Sequence, residues 1–193
     1  MNRQANLYVD PYMGPEYNSS QVPAQVPDLE AAFKYGNDCQ ALIHLWLENL
    51  TGFRLPSNML CYEMFNDPIF FRTVQEEDMI LGDVVWLGSP DKSSMAEYTP
   101  VFDANGQITN WDECPINHMG IYTGKDAWHK DPKILHASAA EGNNVAEPLS
   151  RLMRYRNYSV LQGVRRLDTQ RLIKRLGLQA MLESPLFKLT DMY

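Results

Sequence analysis

The stretch Asn37-Asp38-Cys39-Gln40-Ala41-Leu42-Ile43-His44-Leu45-Trp46-Leu47 constrains this chain more than any other. Leu42, Ile43, Trp46 and Leu50 recur at the i, i+3, i+4 spacing of a helix, and Ala41, Leu45 and Leu47 make that helix apolar on most sides. A helix of this kind cannot lie on a surface, so the rest of the chain must enclose it. Asn37 or Asp38 can cap the first turn, which places Cys39 among the unpaired N–H groups at the positive end of the helix dipole. That setting lowers a thiol pKa and favours the nucleophilic thiolate. The other reading of the same position is a small buried hydrophobe.

With 193 residues, 45% of them hydrophobic, the chain has enough material for one domain with a sizeable core plus short extensions, and too little for two full domains. A net charge of −7 argues against a general nucleic-acid binder, because phosphate contacts demand a basic surface. Basic residues do gather late, at Arg151, Arg154, Arg156, Arg165, Arg166, Arg171, Lys174 and Arg175, against only Asp168. Such a run reads as a solvated face that completes salt bridges to the acidic remainder, or as a local site for an anionic ligand or partner. Cys39, Cys61 and Cys114 are an odd number without a disulfide pattern, which suggests a reducing compartment. No apolar segment has the length of a secretory signal core or a membrane span. The expectation is a soluble protein, cytoplasmic or exported by a non-Sec route, that engages neither membrane nor nucleic acid.

Residues 1 to 28 are rich in Pro, Asn, Gln and Ser and read as an N-terminal arm, draped over the domain or loose. A short helix is expected from Asp28, as N-cap, to Tyr35, stopped by Gly36. The main helix runs from Asp38 to about Leu50 and ends at Thr51-Gly52. A second short helix is expected near Leu60 to Met64, and a polar turn at Gln75 to Asp78. Val84-Val85-Trp86-Leu87, bounded by Gly82 and Gly88, is a strand. Ser89 to Cys114 is a long polar stretch with a turn at Asp103-Ala104-Asn105-Gly106, and a loop of this length is often functional. Ile116 to Thr123 and Ile134 to Ser138 form a strand pair. Pairing about Ala127 would set residue 118 opposite residue 136, with His118, Gly120 and Tyr122 on the face of Ile134, His136 and Ser138. Val160 to Val164 is a last strand, and residues 169 to 193 read as an amphipathic helix and tail.

The order is therefore a cysteine at a helix start, then a strand histidine, then a second histidine one strand later. A cysteine-peptidase site needs these parts: a thiolate nucleophile, an imidazole that takes and returns its proton, and a third polar group that sets the imidazole tautomer. The Cys39 backbone N–H can also stabilise an oxyanion.

Five segments also resemble, in order, the motifs of a known family. Asp38-Cys39-Gln40-Ala41-Leu42 is similar to Asp-Cys-Ser-Gly-Leu, Thr51-Gly52-Phe53-Arg54-Leu55-Pro56 to the segment closing its helix, and Gly82-Asp83-Val84-Val85-Trp86 to Gly-Asp-Leu-Val-Phe. His118-Met119-Gly120-Ile121-Tyr122-Thr123-Gly124 is similar to His-Val-Gly-Ile-Tyr-x-Gly, and Ile134-Leu135-His136-Ala137-Ser138 to Ile-His-Ala-Ser. The family is NlpC/P60, papain-like cysteine peptidases acting mainly on bacterial cell-wall peptides, and the likeness covers residues 36 to 167. It implies an α+β fold with a papain-like catalytic domain over residues 29 to 168, its cysteine helix packed on an antiparallel sheet. It implies Cys39 as nucleophile, His118 as base and His136 as the third polar residue, with no cofactor or metal. The substrate would be a peptide or muropeptide, cut in the peptidoglycan stem. Gln40-Ala41 stands where the family has Ser-Gly, which would put a larger side chain toward substrate. The family's site-lining tyrosine has three candidates here, Tyr35 beside Gly36, or Tyr12 or Tyr17 from the arm.

Other readings keep some of these parts. A papain-like acyltransferase, or an amidase on a non-wall substrate, uses the same thioester intermediate. A non-catalytic module that binds wall fragments or serves in assembly keeps only the pocket. A zinc site from Cys39, Cys114, His118 and His136 uses permitted ligands without their usual paired spacing. His44 lies about 140° around the helix from Cys39 and reads as a structural residue, His129 as a loop residue, Cys61 as packing and Cys114 as a bystander.

Overall fold

A computed structural model describes residues 10–51, 55, 56, 59, 61–68, 70–92, 94, 95, 97–105, 108–125, 130–168, 170, 171 and 174. The protein is an α+β structure built on one six-stranded antiparallel sheet. Its strands are β1 (Phe71–Val74), β2 (Val84–Gly88), β3 (Ile116–Lys125), β4 (Pro132–Ser138), β5 (Asn143–Pro148) and β6 (Val160–Leu167), in the spatial order β1-β6-β2-β3-β4-β5. The helices are α1 (Leu29–Tyr35), α2 (Cys39–Thr51), α3 (Cys61–Asn66) and the single turn α4 (Leu149–Leu152). The closing residue Gly52, the loop with His129, the turn residue Gly106 and nearly all of the tail expected from Thr169 lie outside the described residues.

The helix that is apolar on most sides is enclosed, as its sequence demands. Ala41, Leu42, Ile43, Leu45, Trp46, Leu47 and Leu50 are all buried, in one cluster with Val84, Trp86, Met119, Ile121 and Leu135 from one face of the sheet. The opposite face carries a second cluster, with Val85, Leu87, Tyr122, Ile134 and Val164 covered by Leu149 and Leu152 of α4. Burying a large aliphatic or aromatic side chain contributes about 1.5–3 kcal/mol, so the seven buried apolar residues of α2 hold it firmly against β3 and β4. Asp28 caps α1 by accepting from the Ala31 N–H at 2.8 Å, and Asp38 caps α2 by accepting from the Ala41 N–H at 2.6 Å.

From Asp10 onward the arm is draped, and it is fastened by backbone hydrogen bonds on two sides. The Asn144 N–H donates to the Pro15 carbonyl and the Tyr17 N–H to the Gly142 carbonyl, while the Asn37 N–H donates to the Glu16 carbonyl and the Asp38 N–H to the Gln21 carbonyl. Residues 15–21 thus lie between the start of β5 and the start of α2. Buried Asn37 and Asn144 also exchange side-chain amide hydrogen bonds, at 3.0 and 3.2 Å. Gly36 sits at φ 81°, and a Cβ there would stand 2.7 Å from the Glu16 carbonyl oxygen, so this crossing needs glycine.

The β3–β4 register differs from the expected one. Ile121 pairs with Leu135 and Tyr122 with Ile134, which sets Gly120, and not His118, against His136. An irregularity between Tyr122 and Lys125 shifts the turn, with Lys125 opposite Pro132. Because the shift is two residues, no side chain changes face. The histidines become diagonal neighbours across a glycine. β1 and β5 are strands that the residue pattern did not announce, and β6 extends through Arg165-Arg166 to Leu167. Asn143-Asn144-Val145-Ala146-Glu147-Pro148 has a single β-branched residue and ends in proline, so pairing with β4 at the sheet edge is what makes it a strand.

Gly120 has no room for a side chain: a Cβ would lie 2.4 Å from Ile134 Cγ2, 2.8 Å from the Leu135 carbonyl oxygen and 3.2 Å from His136 Cβ. Gly120→Ala is expected to destabilise the protein by about 1–3 kcal/mol, as overpacking does, with a matching loss of melting temperature in thermal denaturation. An unchanged melting temperature would show that β3 and β4 are not packed this closely.

Candidate active site

Cys39 is the first residue of α2, and its half-buried thiol meets the backbone N–H of Met119, the residue after His118. His118 and His136 lie on the same face of β3 and β4, both buried, with His118 Nε2 and His136 Nδ1 2.9 Å apart. The Tyr158 ring stacks on His118 at 4.4 Å between centroids. Tyr158 also shares the electrostatic environment of Cys39 and Tyr17. Tyr158 therefore lies near both Cys39 and His118, and Met119, which follows His118, meets the Cys39 thiol.

The three candidate tyrosines separate cleanly. Tyr35 is 51% exposed. Tyr12 is buried edge-on against Trp46 at 5.1 Å. Tyr17 alone interacts with Cys39 and Asp38, held there by the arm's hydrogen bonds. Burial first, and then Cys39 and Asp38, push its hydroxyl above the usual phenol range. Gln40 is tied to the backbone ahead of α3. Its side-chain amide donates to the Met59 carbonyl at 2.8 Å, and His44 Nε2 lies 3.2 Å from the same oxygen, so both side chains pin the segment that leads into α3.

Electrostatics run against the expectation of a lowered thiol pKa. Burial raises the Cys39 thiol well above its usual range, and neighbouring Asp38 and Cys61 raise it further; the Met119 and Cys39 backbone N–H groups work in the opposite direction and are outweighed. Burial, then the neighbouring His136, lowers His118 to about 3, and burial lowers His136 to about 4. Asp38 is pushed up to about 6 by burial, despite its capping hydrogen bonds. The resting pair near pH 7 is thus a neutral thiol and a neutral imidazole. A helix terminus supplies about 0.3–1 kcal/mol, whereas each pKa unit of desolvation is worth about 1.4 kcal/mol, so desolvation prevails.

Residue patterning did not single out Glu147, a 4% exposed carboxylate on β5 that lies 3.4 Å from His136 Nε2. The signal was only one acidic residue in an unremarkable edge strand. Cys61 is half-buried and Cys114 buried, both packed into the α2 cluster. Cys61 lies near Cys39 and Cys114, and burial, then Cys114, pushes its thiol up to about 12. Among the described residues no group of three or more His, Cys, Asp or Glu side chains is arranged to hold a metal ion. Within the long 89–114 segment, buried Tyr98 packs edge-on against Tyr62 of α3 at 5.1 Å, and Lys92 Nζ donates to Asn117 Oδ1 at 3.3 Å, beside His118.

The basic cluster resolves mostly into ion pairs. Arg151 meets Glu141 and Glu147, Arg156 meets Asp91, Arg166 meets Asp83 and Arg171 meets Asp168. Arg165 instead lies over the Phe65 ring. No helix among the described residues is long and apolar enough to cross a membrane. No protein-family model matches the chain, and no curated protein matches it significantly.

The shifted histidines set an acid dependence. Between about pH 6.5 and 4 the unfolded chain binds protons at His118 and His136 that the folded protein refuses, so folding stability falls as pH drops through that window. Asp38, raised to about 6, and Glu147, raised by burial, have the opposite sign and offset part of what the two histidines contribute. Wild type is expected to melt at a lower temperature at pH 5 than at pH 7, and His136→Asn is expected to shrink that difference; an equal difference in both would contradict buried neutral rings. The raised thiol predicts that iodoacetamide alkylation of Cys39 keeps accelerating above pH 8. A rate that levels off below pH 7 would instead reveal a preformed thiolate.

Proposed function

We propose that this protein is a cysteine peptidase or amidase of the NlpC/P60 type, a papain-like hydrolase that cuts amide bonds in bacterial cell-wall stem peptides. The observation that carries this reading is the pairing of His118 Nε2 with His136 Nδ1 at 2.9 Å, together with a helix-terminal Cys39 whose sulfur meets the amide of Met119, the residue after His118. With Nε2 of His118 engaged by His136, Nδ1 is the nitrogen left to accept a proton.

The chemistry starts from the neutral pair. As the Cys39 sulfur bonds to the substrate carbonyl carbon, the thiol proton passes to His118 Nδ1 and the carbonyl oxygen becomes an oxyanion, which the Cys39 backbone N–H at the helix start can stabilise. Collapse breaks the C–N bond. His118 returns the proton to the leaving amine, and a thioester remains on Cys39. Water then attacks the thioester, giving its proton to His118, and the acid departs as the thiol is restored. His136 orients His118 throughout. Because the proton moves during attack, no standing thiolate is required and the nucleophile is formed only beside a bound carbonyl.

Defined muropeptides and a panel of non-wall amides, assayed for released amines, test this reading. Wild type is expected to release amines from stem peptides, and Cys39→Ala to lose at least about 10³-fold of that rate while keeping its circular dichroism and melting temperature. Equal turnover by Cys39→Ala would eliminate the mechanism. Activity confined to the non-wall panel would assign another amide substrate. Products captured by an added amine instead of water would assign acyl transfer.

A further inference from the structure

We propose that Glu147 is a positioning residue that sets the tautomers of both histidines and so makes His118 Nδ1 the base; this rests on the hydrolase reading above for its catalytic meaning. In the β4–β5 ladder Ile134 pairs with Glu147 and His136 with Val145, and cross-strand partners share a face. Glu147 is therefore one diagonal step from His136, as His136 is from His118. The three side chains run across neighbouring strands in one line.

Glu147 Oε2 and His136 Nε2 are 3.4 Å apart, close enough for an ion pair, and neither buried atom makes a hydrogen bond, to the other or to any third group. The other carboxylate oxygen, Oε1, meets Arg151 Nη1 at 3.2 Å, and Arg151 Nη2 meets Glu141 Oε1 at 2.7 Å. Arg151 stands four residues after Glu147, on α4, which folds back over the strand end. A buried carboxylate is costly unless it is paired, and here it has one cation on the solvent side and one imidazole on the inner side.

A neutral imidazole carries a single N–H. If His136 held it on Nδ1, its Nε2 lone pair would face a buried carboxylate oxygen, lone pair against lone pair. Held on Nε2, the N–H lies on the side of Glu147, which a small adjustment of the carboxylate would let it donate to, and Nδ1 becomes the acceptor at 2.9 Å from His118 Nε2. His118 must then carry its own proton on Nε2, which leaves Nδ1 with a free lone pair. One carboxylate thereby decides the protonation pattern of two rings, and the pattern it selects is the one a general base needs.

Nitrogen NMR of 15N-histidine-labelled full-length protein reads the tautomers directly, without substrate. Wild type is expected to show Nε2–H at both His118 and His136. Glu147→Gln, whose carbonyl oxygen can still accept, should keep that pattern, and Glu147→Leu should lose it at His136 and lower amide turnover about 10–100-fold with little change in KM. A wild type with the proton on Nδ1 of His136, or a folded Glu147→Leu with unchanged tautomers, overturns the inference. The wild-type spectrum decides the matter even where the leucine variant does not fold. Nε2–H tautomers in a protein that releases no amine would uphold Glu147 as the residue that orders the rings and would reject the hydrolase reading instead.

Discussion

The structure depends on the burial of a helix that is apolar on most sides. α2 is covered by β3 and β4 below, by Tyr12 of the arm against Trp46, and by the segment leading into α3. With about 1.5–3 kcal/mol from each large buried side chain, this packing outweighs the polar costs at the helix start, where Asp38 and Cys39 are taken out of water. It also fixes where Cys39 must be, because a helix packed along its whole length brings its first residue to one place. That place is the Met119 amide, one residue from His118.

The same burial accounts for the electrostatics of the site. Removing water raises the thiol and lowers both imidazoles, and the favourable ends of helix dipole and backbone N–H are too weak to reverse it. A site built this way keeps its sulfur protonated and its rings neutral near pH 7. Neutral rings make tautomer choice matter, since a neutral histidine is a base at only one of its nitrogens. The line from His118 through His136 to Glu147 and Arg151 connects that choice to a charge pair at the surface.

The arm has a positional role as well as a packing one. Its backbone joins the start of β5 to the start of α2, and the reciprocal Asn37–Asn144 amides close the same junction from within. Tyr17 is carried to Cys39 by these bonds. β5, in turn, carries Glu147. Cys39, Tyr17 and the strand that carries Glu147 thus meet at one hydrogen-bonded junction, although more than a hundred residues separate Tyr17 from Glu147 in the chain.

Strong local signals were legible before any fold was known. The apolar spacing from Leu42 to Leu50, the Asp28 cap, the glycine-bounded Val84–Leu87 run and the alternation that puts His118 and His136 on one face are each set by residues close in sequence, so sequence alone determined the buried helix, its cysteine at the first turn and the two-histidine face. The remaining features depend on contacts between distant segments. The two-residue change in register is set by how β3 and β4 pair, β5 becomes a strand only by pairing, Tyr17 is selected over Tyr35 and Tyr12 by where the arm is fastened, and Gln40 turns to Met59 because that carbonyl lies within reach. The raised thiol belongs with them: a helix terminus can be read from sequence, but the water removed from around it is decided only when the tertiary structure closes.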